Sequence, residues 1–164
     1  HDAEAVKWFY GGEEGVQAKI KAAQTAKEKF ATTGEIDYIP TISTTDESAA
    51  MYGNFDYYLN EKRGAIPQWS AHKFAVMSWE DWLTVDAMPT AKSLTQPFIL
   101  ISSDACVLPQ YAKNYFNNVE NENKKLVWET TDLEGLAHQF YFYDDAATIT
   151  KTVKTVSDWF NANM

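Results

Sequence analysis

The stretch Phe98-Ile99-Leu100-Ile101-Ser102 constrains this chain more than any other. It is short, continuously apolar and partly β-branched, which suits a strand buried on both faces, as in a parallel sheet. Ala112, Tyr115, Phe116 and Val119 then make a helical stripe, Asn121 to Asn123 a turn, and Leu126-Val127-Trp128 a second strand. A strand joined through a helix to another strand implies a right-handed crossover in a parallel sheet. Ile149, Val153, Val156 and Phe160 space a closing helix, with Asp144 or Asp145 as its cap. The second half therefore reads as α/β. Two parallel strands make no stable sheet alone. Sheet partners are either absent from the chain or hidden in first-half segments that read as helix or loop.

The first half reads as mostly helical. Val16, Ile20, Ala23 and Phe30 follow helical spacing across Glu14 to Ala31, and Gly34 ends the run. Thr45-Asp46-Glu47 looks like a helix start before Ala49 and Ala50. Met51 to Trp69 is rich in aromatics and broken by Gly53, Gly64 and Pro67, which suggests compact irregular structure. A further helix is expected around His72 to Val85, where Phe74, Met77 and Trp82 can share a face. The organisation that results is a helical region over residues 1–70 and an α/β region over 71–164.

Composition excludes several classes. The chain has 164 residues, 45% of them hydrophobic, with 6 Trp, 9 Tyr and 9 Phe, which is enough apolar surface for a packed core. The formal charge of −9 repels phosphate backbones and anionic lipid, so no nucleic-acid partner is expected. No apolar run reaches the length of a membrane span. No secretory leader is visible in the opening residues His1 to Glu4. Cys106 is the sole cysteine and no Asn-x-Ser/Thr sequon occurs, which points to a reducing, cytoplasmic setting.

In open α/β sheets the working groups sit on loops just past the carboxyl ends of strands. Asp104 lies two residues beyond the first strand, and His138 on the loop after the second. Both then fall on one sheet edge. A carboxylate there can bond one imidazole nitrogen and stabilise the imidazolium, leaving the other nitrogen to take a proton from a nucleophile. Singly, a helix-capping Asp and a surface His are the more ordinary explanations of these residues; their joint placement favours chemistry. Tyr52, Phe55, Tyr57, Tyr58 and Trp69 could line an apolar substrate pocket, with packing of their own region as the more ordinary role.

These segments carry a resemblance. Phe98 to Asp104, Lys125-Leu-Val-Trp128 and Ala137-His138-Gln-Phe-Tyr-Phe-Tyr-Asp144 resemble the end of the α/β-hydrolase fold, in its dienelactone-hydrolase-like branch. Thr45-Asp46, Ala49 to Met51 and Arg63-Gly64-Ala-Ile-Pro67-Gln-Trp69 are similar to that branch's inserted helical region. The resemblance implies the C-terminal portion of the fold, preceded by a cap-like insertion. It implies Asp104 as triad acid and His138 as base, acting on a small ester, lactone or thioester. Neither cofactor nor metal is implied.

The nucleophile is missing. The family places its serine in a Gly-x-Ser-x-Gly elbow ahead of the acid and the histidine. No serine here has glycine at both flanking positions. The expected partner is thus an N-terminal half bearing the nucleophile and the oxyanion donors; homo-oligomerisation stays open. Cys106 sits on the wrong loop to substitute and reads as a small buried thiol. Asp132 and Glu134 are lesser alternatives for the acid. Two other classes remain: a non-catalytic, hydrolase-derived binding domain, and a copper protein using His1 with His72.

Overall fold

The structure is a computed structural model that describes residues 3–66 and 73–163. It is mixed α/β, with helices and small sheets of both parallel and antiparallel kind. Its residues fall into two compact units, Ala3–Val85 and the residues from Asp86 onward.

The first unit is built on α1 (Ala3–Phe9) and α2 (Gly12–Thr33). The helix expected over Glu14 to Ala31 is there and extends two residues further at each end. Gly34 ends it in the left-handed region, φ 73°, with its N–H donated to the Phe30 carbonyl at 2.8 Å. Val16 and Ala23 face a core completed by Val6, Ala50, Trp79 and Leu83. Trp79, 2% exposed, anchors it, with the Tyr10 ring edge-on at 5.0 Å and Phe74 at 4.6 Å. Burial of Tyr10 in that cluster pushes its phenol above the ordinary value. Outside the core, Lys27 Nζ bonds Glu80 at 2.7 Å and ties α2 to α4 (Trp79–Thr84).

Two first-half expectations are corrected. The segment expected to be helix from His72 onward begins instead, at Phe74–Ala75, as a strand, β4. It pairs antiparallel with β1 (Tyr38–Ile39) and passes through a 3-10 turn before α4 begins. Phe74 from the strand and Val76 from the 3-10 turn pack against the core, so tertiary burial overrode the helical spacing. Asp46 caps a turn rather than a helix: its carboxylate accepts the Ser48 N–H at 2.9 Å and the Ser48 hydroxyl at 2.7 Å. Short strands β2 (Ile42–Ser43) and β3 (Met51–Tyr52) flank that turn in parallel, and α3 (Asp56–Leu59) follows.

The second unit holds the expected crossover. Strand β5 (Phe98–Ser103), helix α5 (Pro109–Asn118) and strand β6 (Lys124–Glu129) follow in order. The strands run parallel with Phe98 opposite Lys124 and Ser103 opposite Glu129. Among the described residues no third strand joins them. Helices α6 (Ala137–Asp144) and α7 (Ala146–Asn163) close the chain. Of the two cap candidates for α7, Asp145 accepts the Thr148 N–H at 2.7 Å. Among the described residues, no helix is long and apolar enough to cross a membrane.

Gly15 shows how tightly α1 turns into α2. A Cβ there would lie 1.9 Å from the Tyr10 carbonyl oxygen. Helix propensity alone favours alanine over glycine by about 1 kcal/mol. The contact reverses that sign, so Gly15→Ala should lower stability by about 1–3 kcal/mol, as overpacking does. Urea unfolding of the two proteins, followed by tryptophan fluorescence, measures it; a gain in stability would show that the turn yields.

Candidate site at the ends of strands β5 and β6

The parallel register brings the last residues of β5 and β6 to one end of the sheet. Ser103 pairs with Glu129 there, so the loops after both strands begin side by side. Asp104 opens the first of these loops. The second runs from Thr130 to Leu136 and delivers α6, whose second residue is His138. His138 is therefore on a helix, not on the loop where the sequence suggested it. Gly135, at φ 60°, makes the left-handed turn into that helix.

Helix α6 is fastened to the loop after β5 by its first turn. The Gln139 N–H donates to the Ala105 carbonyl at 3.2 Å, and the Val107 N–H donates to Gln139 Oε1 at 3.3 Å. Each bond satisfies a backbone group that a loop or helix end would otherwise leave open. Leu108, at φ 51°, holds the left-handed region just before Pro109 starts α5. For a leucine that conformation costs about 1–2 kcal/mol. The loop is thus bent sharply back toward the sheet end.

His138 is 8% exposed, with the Tyr141 ring edge-on to it at 6.1 Å. Its ring stacks on Phe142, one helical turn on, at 4.8 Å and 28°. Its Nδ1 lies 2.8 Å from the Ser103 hydroxyl. Ser103 is fully buried and accepts the Ala105 N–H at 3.2 Å. Cys106 Sγ lies 3.3 Å from the same hydroxyl. The buried thiol expected from the sequence is thus part of a Cys106–Ser103–His138 cluster.

Asp104 points elsewhere. Its side chain is 73% exposed and its carboxylate accepts a bond from Lys113 Nζ at 3.1 Å. Lys113 in turn sits 4.0 Å above the Trp128 ring. The Lys113 bond holds the Asp104 carboxyl below the usual carboxylate range. The indole N–H of Trp128 pulls the same way more weakly, too loosely placed to form a proper hydrogen bond. No hydrogen bond among the described residues joins Asp104 to His138. The structure thus brings the two expected residues to one sheet end without bringing them into contact.

A cavity of about 480 Å³ opens beside His138. Glu129, Thr131, Asp132, Tyr141 and Lys151 line it with His138. Lys151 is ion-paired with Glu129 across its wall. Asp132 therefore shares the cavity with the histidine, whereas Glu134 is exposed and outside its lining. Tyr52, Phe55 and Tyr58 belong to the first unit and form no part of this lining; Tyr57 meets Tyr58 edge-on at 5.1 Å there. Trp69, His1 and His72 lie outside the described residues.

Sequence reasoning missed Ser103, Lys113 and Lys151. Ser103 left a signal: a polar residue ending a continuously apolar run, at a position buried on both sides, must find a partner. Lys113 and Lys151 left none, because their roles depend on which helix face meets the strand ends. No protein-family model matches the chain, and no curated protein matches it.

The ion pair gives a directional test. Lys113→Met removes the main cause of the depressed Asp104 acidity, so that carboxyl should titrate closer to the ordinary value of about 3.9. A depressed carboxyl stabilises the fold above its unfolded value and loses that contribution as pH falls through the folded one. The acid limb of the stability curve, below about pH 4, should therefore flatten in the variant. Carbon-detected NMR titration of Asp104 checks both; an unchanged midpoint would remove Lys113 as the cause.

Proposed function

We propose that the chain is the C-terminal part of a serine-type α/β-hydrolase acting on an ester, lactone or thioester. The observation that carries this reading is the parallel register of β5 and β6, which brings the segments carrying Asp104 and His138 to one sheet end, with an open cavity beside His138. That the sheet has two strands among the described residues supports it further, since such a pair is marginal without neighbours. So does the chain's lack of a Gly-x-Ser-x-Gly elbow, which assigns the nucleophile and the oxyanion donors to a preceding segment.

In this mechanism the serine hydroxyl attacks the acyl carbon while His138 takes its proton. The imidazolium then returns that proton to the leaving oxygen or sulfur, and an acyl-enzyme remains. Water repeats the sequence and frees the acid. Asp104, one residue past the strand, supplies the negative charge that favours the imidazolium. The cavity beside His138 receives the acyl or leaving group.

A second reading is favoured by one specific contact pattern. Asp104 is occupied by Lys113 and His138 by Ser103, which is what a hydrolase-derived domain that binds without catalysis would show.

Expression of the longer reading frame decides between them. The hydrolase reading expects the 164-residue chain to be inert toward p-nitrophenyl esters and a serine-directed phosphonate, and the longer protein to react with both. His138→Ala should then cost at least about 10³-fold in kcat, the scale of removing a triad member. Asp104→Asn should cost a comparable factor if its charge serves the imidazolium. An inert longer protein, or one indifferent to His138→Ala, would leave the binding-domain reading in possession.

A further inference from the structure

The cluster around Ser103 carries an inference about how the histidine is held. The Ser103 hydroxyl has one proton to give and two lone pairs to accept with. One lone pair is taken by the Ala105 N–H at 3.2 Å. One proton and one lone pair are left for His138 Nδ1 at 2.8 Å and Cys106 Sγ at 3.3 Å. The hydroxyl cannot donate to both, and it can accept from only one of them. The two contacts are therefore coupled and opposite in sense. Either Nδ1–H donates to the hydroxyl and the hydroxyl donates to sulfur, or the thiol donates to the hydroxyl and the hydroxyl donates to Nδ1.

These arrangements leave the histidine in different chemical states. In the first, the proton sits on Nδ1 and Nε2 carries a bare lone pair, as a base requires. In the second, Nε2 is protonated and offers a donor. Ser103 is fully buried, so water does not compete for the hydroxyl. Imidazole N–H is the strongest neutral donor of the three groups and a thiol S–H the weakest. The first arrangement uses the strong donor and spares the weak one.

We propose that Ser103 is the positioning residue of His138: its hydroxyl accepts a hydrogen bond from Nδ1–H, donates its own to Cys106 Sγ, and so holds Nε2 bare. This rests on reading His138 as a base. It divides the work expected of Asp104 between two neighbours. Ser103 orients the ring, and Asp104 keeps only the charge role. Cys106 enters as the acceptor that sets the direction of the serine proton, with no covalent part to play.

The test reads the tautomer, not activity, and uses the 164-residue chain. Long-range ¹H–¹⁵N NMR on ¹⁵N-histidine-labelled protein, well above the titration range of imidazole, distinguishes a protonated from a bare ring nitrogen. The His138 signals are identified by their loss in His138→Gln. The wild-type ring should carry its proton on Nδ1. Ser103→Ala removes the acceptor, and Cys106→Ala frees the serine proton to turn toward Nδ1. Both should shift the tautomer ratio toward Nε2–H by about fivefold or more, the size of one neutral hydrogen bond. Cys106→Ala keeps the question answerable if Ser103→Ala fails to fold. A wild-type ring protonated on Nε2 would overturn the proposal, as would a ratio unmoved by Cys106→Ala. Activity of the longer protein and its loss in His138→Ala judge the hydrolase reading separately, whatever the tautomer result.

Discussion

The parallel pairing of β5 with β6 is the constraint on which the site depends. An antiparallel pair would have put the residues after one strand at the far end from those after the other. With Ser103 opposite Glu129, both strands release their chains at the same end. The loop after β5 then needs partners for its backbone, and the first turn of α6 supplies them through Gln139. His138 meets Ser103 because its neighbour in sequence is tied down. The contact between the histidine and the serine is downstream of a backbone docking event, which is why a helix rather than a loop carries the ring.

Charge is arranged around this end in two separate pairs. Lys113 holds Asp104 on the α5 side, and Lys151 pairs with Glu129 in the cavity wall. Each lysine comes from a helix that packs beside the strands, and each pairs with a carboxylate at a strand terminus. The histidine belongs to neither pair. Its buried contacts include the Ser103 hydroxyl and the Phe142 ring, while Glu129, Asp132 and Lys151 line the cavity beside it. A carboxylate directly on Nδ1 would favour the imidazolium in the resting state. A hydroxyl accepts from the neutral or the charged ring, so it orients without committing the ring to charge.

Much of the second unit was legible in the sequence because its signals are local. Phe98 to Ile101 reads as a strand and is one, although half-buried rather than buried on both faces, and the spacing of Ile149, Val153, Val156 and Phe160 reads as a helix. The crossover then followed from chain order. The first unit was less legible after α2. Phe74 belongs to a helical pattern with Met77 and Trp82 but has an extended outcome, because the core around Trp79 rewards its burial in either form. Asp46 reads as a helix start, but its carboxylate closes a turn on Ser48 and no helix follows before β3.

The site was half legible for a related reason. Position along the strands can be read from sequence, so both Asp104 and His138 were placed at the right edge. Which side chain touches which cannot be read, because it turns on one residue of phase. Ser103 ends β5 facing inward, toward α6, and is fully buried. Asp104, the next residue, projects into solvent beside α5, where Lys113 reaches it. Successive residues of an extended segment point to opposite sides, so the contact with the histidine could belong to Ser103 or to Asp104 but not to both. A pattern that names the right loop still leaves that phase open, and the phase separates a carboxylate-held imidazole from one held by a hydroxyl.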